Sequence, residues 1–319
     1  ILLLKPLSSQ EISDGFVLFT PFHTLDSTTV TYLVDENFNE INYWMHEERS
    51  IPASMPYLNK DSTIWYPSQV QNPTMESGGV GGKIELLDWN NNILWSHTIA
   101  NDSLQHHHDI EPLPNGNILI IAWERKTLEE AQNMGRQTIE SPLGQIWSEA
   151  VFEIEPIGID SALIVWEWHL WDHLIQDVNP DLSNYGVVEE HPELFDINLG
   201  TIGFGPALNN ADWIHFNSIH YNEDLDQIIL SSRTMSEIYI IDCSTTTEEA
   251  SNHSGGNSGK GGDFLYRWGN PQNYDRGTNS DHWLGDQHSI NWIDNGSPGQ
   301  RNLICYVNQY NSNYSAVLE

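Results

Sequence analysis

Short runs of β-branched and aromatic residues, closed by acidic residues or Asn/Gly turns, recur along the whole chain. One hairpin type reads TVTYLVD-ENFNE-INYWMH (29–46), KIELLD-WNNN-ILWSHTI (83–99) and AVFEIEP-IGIDSA-LIVWEWHL (150–170). Its first strand ends in an acidic residue and its second carries Trp. EIYIID (237–242) opens a fourth copy, joined to DFLYRWGN (263–270) by a long Ser/Gly/Asn insert, and SAVLE (315–319) opens a fifth. A second hairpin type precedes four of these copies: MPYLNKDSTIWYP (55–67), HHDIEPLPNGNILIIAWE (107–124), NSIHYNEDLDQIILSSR (217–233) and HSINWIDNGSPGQRNLICYVN (288–308). One hairpin of each type makes a four-stranded unit. Asp35, Asp88, Glu155 and Asp242 mark successive copies at uneven spacing. Regular content at irregular intervals predicts an all-β chain, a β-propeller whose blades carry variable loops. A β-sandwich of ordinary hairpins is the alternative. The last unit stops mid-hairpin at Glu319, so the expectation is one propeller domain over residues 1–319 with an incomplete final blade. Closure would then come from a partner or from the N-terminal strands. Helical periodicity is nearly absent; its best candidate, Thr127 to Gln137, reads as a loop turn.

With 12 Lys+Arg against 45 Asp+Glu the net charge is −33. Such a surface repels nucleic acid and anionic membranes, so neither is an expected partner. An anion site must be built locally, from the few Arg and from His. No stretch of about 18 apolar residues exists, so no transmembrane helix is expected. The opening ILLLKPLSSQ is too short and wrongly flanked for a signal peptide. Cys243 and Cys305 lie far apart and fit no metal or redox spacing; two free thiols are the simpler reading.

The stretch QHHHD (105–109) raises the question of chemistry. Aligning the second hairpin type places His108-Asp109-Ile110 opposite Asn217-Ser218-Ile219 and His288-Ser289-Ile290. Two residues earlier stand His106, His215 and Asp286. In a propeller the first strand of each blade lines the central channel, so these positions converge on one mouth. Arg233 ends the partner strand of the 217–233 hairpin and returns toward them. The expected ring is His108, His215, Asn217, Arg233 and His288. Arg offers a planar fork of donors matched to tetrahedral oxyanions, and neutral imidazole is a base or nucleophile near pH 7. HHHD could instead hold a transition metal. The arginine and the few converging carboxylates favour an anion. His107 alternates to the other strand face and reads as packing or solvated; His106 could support the ring from behind. His169 and His173 read as local loop hydrogen-bond partners and His220 as structural. His23, His46, His97, His191, His253 and His282 belong to no constellation.

HHDIEPLPNGNIL, DWIHFNSIHYNEDLDQIILSSRTMSEIYIID, LYRWGNPQNYDRG and GDQHSINWIDNG together resemble the bacterial arylsulfate sulfotransferases. The resemblance runs from about Val80 to Tyr306, and the first 75 residues match only in style. It implies a six-bladed β-propeller, incomplete here. It implies an enzyme that moves a sulfuryl group from an aryl sulfate to a phenolic acceptor by ping-pong transfer, with no cofactor and no metal. It places the histidine nucleophile on His288 and the sulfate-gripping arginine on Arg233. The supporting groups, which also bind substrate, fall on His215, Asn217 and His108. A periplasmic or secreted setting follows, and a homodimer is compatible with it. GDQHS departs from the family's glycine-glutamine-histidine-aspartate run, with Ser289 where Asp is common. A close-spaced disulfide and an N-terminal domain known in the family have no counterpart in this sequence. A non-catalytic binding propeller and a metal-dependent hydrolase built on HHHD are the competing readings.

Overall fold

Five antiparallel sheets follow one another along the computed structural model, which describes residues 15–21, 28–48, 50–203, 209–310 and 314–319. The opening ILLLKPLSSQ and His23 lie outside the described residues. Blade one holds β1 (Phe16–Phe19), β2 (Thr28–Asp35) and β3 (Glu40–Glu48). Blade two holds β4 (Tyr57–Leu58), β5 (Ile64–Gln69), β6 (Gly82–Leu87) and β7 (Ile93–Thr98). Blade three holds β8 (Leu104–Pro112), β9 (Ile118–Thr127), β10 (Gln145–Ile157) and β11 (Ser161–His169). A short parallel pair, β12 (Leu174–Ile175) and β13 (Phe195–Asp196), sits in the loop to blade four. That blade holds β14 (Phe216–Asn222), β15 (Gln227–Ser232), β16 (Glu237–Asp242) and β17 (Tyr266–Trp268). Blade five holds β18 (Gln287–Trp292), β19 (Leu303–Tyr310) and β20 (Tyr314–Leu318). The architecture is the expected incomplete propeller. The segment read as a loop turn instead forms a short helix, α1 (Leu128–Asn133), because Thr127 and Glu130 close a capping box.

The strands of blades two, three and four are apolar on both faces because each of these blades is sandwiched between two others. Successive side chains of a strand point to opposite faces. Ile118 and Ile120 of β9 accordingly pack toward blade two with Trp65, Ile84 and Trp95. Leu119 and Ile121 pack toward blade four with Trp147, Phe216 and Leu230. Ile229 and Ile238 join Ile290, Trp292 and Val307 at the next interface. Leu33 and Trp44 join Ile64 and Tyr66 between blades one and two.

The repeated Trp and the repeated acidic turn serve the same interfaces. Trp44 of β3 donates its indole N–H to the carbonyl of Asp88 at 2.8 Å, in the outer turn of the next blade. Trp95 of β7 donates likewise to Ser161 at 2.7 Å, and Trp166 of β11 to Thr245 Oγ1 at 3.2 Å. Asp35 and Asp88 each tie their own turn by accepting the backbone N–H groups of the residues two and four positions on. A buried Trp usually finds a partner for its N–H, and blades two, three and four each supply one to the blade before. Cys243 and Cys305 are free.

The block RWGNPQNY is structural. Arg267 is buried and grips Glu237 through Nε at 3.1 Å and Nη2 at 2.6 Å. Asn273 donates to the same carboxylate at 2.9 Å, and Tyr274 lies under the guanidinium. Removing one partner of a buried ion pair strands the other charge. Arg267→Ala should therefore destabilise the protein by about 3–5 kcal/mol. Denaturant unfolding of the variant measures this; a loss below about 1 kcal/mol would mean a surface-like pair.

Candidate active site

The inner strands β8, β14 and β18 carry the aligned residues, and the alignment is physically real. Asp109 Oδ2 accepts the N–H of Ile219 at 3.3 Å, and Ser218 Oγ accepts the N–H of Ile290 at 3.0 Å. One step along, Glu111 accepts from Tyr221 N–H and His220 from Trp292 N–H. Asp109 and Ser218, and two positions on Glu111 and His220, thus each hand a side chain to a backbone amide of the next blade. Asp109 also takes the Tyr57 hydroxyl at 2.5 Å and Ser54 at 3.1 Å, so the aspartate of QHHHD is an inter-blade anchor. Burial raises its carboxyl to about 6.

Just before this ladder all three inner strands break register. The irregularities fall between His106 and Ile110, Phe216 and Ser218, and His288 and Asn291. His108 (φ 51°), His215 (φ 56°), Asp286 (φ 50°) and Ser289 (φ 57°) all adopt left-handed backbone. This is uncommon for such residues, and bulges of this kind re-aim side chains beside functional sites.

Four of the five expected ring residues come together here. The imidazoles of His108 and His215 meet edge to face, centroids 4.6 Å apart. His288 is near enough to feel the charges of Arg233, His215 and His108. Arg233 follows β15 in a turn clamped onto the start of β14: its own N–H bonds His215 O at 3.2 Å, and the Ser232 and Thr234 hydroxyls both bond Ile214 O. Asn217 is the fifth. Its buried amide donates to Gln287 O at 2.7 Å, holding the strand that carries His288.

The three histidines of QHHHD go three ways. His106 is buried and accepts the N–H of Gly82 at 3.0 Å. His107 is stacked on Trp123, centroids 4.1 Å apart. Only His108 turns toward the ring, under Gly79, where an added Cβ would lie 2.0 Å from its Nε2. The three rings therefore do not converge as a metal cage. His107 packs as expected but does more: its Nε2 meets Glu149 Oε2 at 2.9 Å and its Nδ1 meets His108 Nδ1 at 2.8 Å.

Carboxylates are more numerous than the sequence suggested. Glu149 of β10, Asp212 before β14 and Asp286 before β18 all reach the site, each engaged by an imidazole or by the guanidinium. Asp212 Oδ2 meets His215 Nδ1 at 2.5 Å and takes the Ser77 hydroxyl at 2.8 Å. Burial opposes its ionisation, but His215 holds its carboxyl below the ordinary range. Asp286 Oδ2 pairs with Arg233 Nη2 at 3.0 Å and also accepts from Gln309. A polar Glu149 inside the apolar run of β10, and Asp212 three residues before His215, were the available signals. Neither states its partner.

The protonation states are set by surroundings. Burial drives Glu149 well above the usual carboxyl range, with Asp212 adding to it, and lowers His107 to about 3. His108 lies well below the usual imidazole range, from burial first and then the neighbouring histidines. A protonated Glu149 donates to His107 Nε2, His107 Nδ1–H donates to His108 Nδ1, and His108 then presents Nε2–H. At His288 burial lowers the pKa first; a hydrogen bond to Asp286 O at 3.0 Å opposes this, and Arg233 and His215 add to the lowering. With its Nδ1–H on that carbonyl, His288 carries its lone pair at Nε2.

Comparison with known proteins follows this geometry. The chain is similar in shape to hydrazine synthase of Kuenenia stuttgartiensis (12% identity, TM-score 0.45) over 91% of its own length and 64% of that chain. A protein of unknown function from Bacteroides caccae (9% identity, TM-score 0.43) is matched over 92% and 65%. The chain thus spans just under two thirds of each, and likenesses so loose have no bearing on activity. No curated protein sequence matches it. The family model for arylsulfotransferases (ASST), by contrast, matches residues 8–317, nearly the whole chain. On that match the chain belongs to the arylsulfotransferase family.

Proposed function

We propose that the protein transfers a sulfuryl group from an aryl sulfate to a phenol through a sulfohistidine on His288. The observation that carries this reading is the His288 imidazole with its Nδ1 3.0 Å from a backbone carbonyl, beside an arginine in a ring of histidines. His288 Nε2 attacks sulfur and the S–O bond to the aryl group breaks. Sulfuryl transfer, like phosphoryl transfer, asks the protein mainly to position the group and stabilise spread charge. Arg233 clamps the sulfate oxygens, His108 Nε2–H donates to one, and Asn217 supports the site by holding the strand that carries His288. His215, its Nδ1–H on Asp212, gives its Nε2 proton to the leaving phenolate. A phenol then returns that proton to His215 as its oxygen attacks sulfur, and the S–N bond breaks. Nucleic acid and membrane play no part in this chemistry, and the setting is periplasmic or secreted. Among the described residues no helix is long and apolar enough to cross a membrane.

The test is incubation with a chromogenic aryl sulfate and a phenol acceptor, followed by mass spectrometry of the enzyme quenched at high pH. Phenol release without an 80-Da adduct on the His288 peptide would reject the sulfohistidine (the mass is that of SO3, a label for about one group). Asp212→Asn should lower kcat by about 10²-fold or more, because the wrong tautomer of His215 is then favoured. The loss should be largest for aryl sulfates with basic leaving groups and small for nitrophenyl sulfate. A uniform loss across the series would remove His215 as the acid.

Activity should rise with pH through the folded pKa of His288. That pKa lies below the ordinary imidazole value, so the neutral attacking form persists to pH values under about 6.5. The acid limb of kcat/KM for the free enzyme should therefore fall below about pH 6.5. A limb centred above about 7 would contradict the lowering by burial and Arg233.

A further inference from the structure

The Ser/Gly/Asn insert of blade four, residues 243–265, contains a helix α2 (Thr247–Ala250) and is pressed against blade three. Trp168 of β11 donates to Gly262 O at 2.7 Å. His173, in the 3-10 turn Leu170–His173 after β11, is fully buried beneath it and stacks on Trp168. Its Nε2 lies 2.8 Å from Ala250 O, and its Nδ1 lies 2.8 Å from Asp263 Oδ1. His253 places its own Nδ1 2.7 Å from the same oxygen. Among the described residues, these three are the one His/Cys/Asp/Glu group whose ligand atoms all fall within 4.8 Å of one another.

The proton count makes this arrangement unusual. A carbonyl oxygen only accepts, so Nε2 of His173 must be the N–H. In a neutral ring Nδ1 is then a bare lone pair, facing a carboxylate lone pair inside the protein. Something positive must stand between them: a second proton, or a cation. The second ring, converging on the same oxygen, favours the cation. A ligating histidine characteristically donates its other N–H to a backbone carbonyl, which fixes the ring for the metal. Ala250 supplies that carbonyl.

We propose that His173, His253 and Asp263 form a site for a divalent transition-metal ion that pins the insert to blade three. Two imidazoles and one carboxylate suit Zn²⁺ and its neighbours rather than Ca²⁺ or Mg²⁺. Bonds of about 2.1 Å at tetrahedral angles put ligand atoms about 3.4 Å apart, so each ring nitrogen need only draw back from the shared Asp263 oxygen by about 0.6–0.7 Å. His253 is well exposed and can move, and water completes the coordination. The acidic surface raises the local concentration of cations. This site lies on the outer edge of the propeller and takes no part in sulfuryl transfer.

The probe is Zn²⁺. Metal-stripped protein is loaded, dialysed and analysed for metal, and the insert is challenged by limited proteolysis with and without the ion. The expected result is about one Zn²⁺ per chain in the wild type, with slower cleavage within 243–265. His253→Ala, at an exposed position, should lose the bound Zn²⁺ and its protection without unfolding. His288→Ala should still bind, since a contribution from the ring histidines would show there. Wild-type protein that retains no metal, or His253→Ala that binds as the wild type does, would overturn the proposal. In that case a doubly protonated His173 holds Asp263.

Discussion

His288→Ala is expected to abolish transfer, by at least about 10³-fold in kcat, while the protein stays folded. The side chain is only partly buried, and its Nδ1 bonds Asp286 O with the Asn308 side-chain amide alongside. The strand it sits on is held by other groups: Gln287 is buried and donates to Ser232 O, and the Ile290 amide is held by Ser218. Truncation at 288 therefore removes a reacting atom and little packing. The measurement is turnover of a chromogenic aryl sulfate, paired with a melting curve. More than a few per cent of wild-type turnover in a folded variant would move the nucleophile elsewhere, and added imidazole that restores phenol release would support it.

Arg233→Lys should cost about 10²-fold or more in kcat/KM although the charge is kept. The guanidinium already pairs with Asp286 and sits on a turn tied to the strand that bears His215. It is therefore aimed before substrate arrives. A lysine ammonium is a point donor on a flexible stem; it can meet Asp286 but cannot present a planar fork to two sulfate oxygens at once. Kinetics of the Lys and Ala variants side by side separate charge from shape. Near-wild-type kcat/KM in the Lys variant would reduce Arg233 to a counter-ion of Asp286.

The blade repeat was legible because its cause is local. Apolar strands, the acidic residue that closes the first strand of a hairpin, and the Trp of its second strand recur as short patterns along the chain. The inner-strand alignment was legible for the same reason: Asp109 and Ser218 occupy one position of successive blades and each accept an amide of the next blade, and His108, Asn217 and His288 precede that position. Helix α1 was misjudged because a capping box of two residues outweighed an otherwise poor helical pattern. Two of the carboxylate contacts were not legible because the partners are distant in the chain, whereas Asp212 stands three residues before His215. Glu149 meets His107 within blade three, and the Asp286 side chain meets Arg233 between blades four and five. His253 was set aside as belonging to no constellation, and only the docking of its insert on blade three brings it to His173 and Asp263.

The amino-acid sequence alone determined the repeat, the strand content, the acidic surface and the histidines and arginine that could handle an anion, since these depend on residue type and near neighbours. Which nitrogen of each ring carries a proton was decided only by the tertiary structure. Burial sets the cost of charge, and a carbonyl or carboxylate from another blade sets the tautomer; neither quantity exists until the blades have packed.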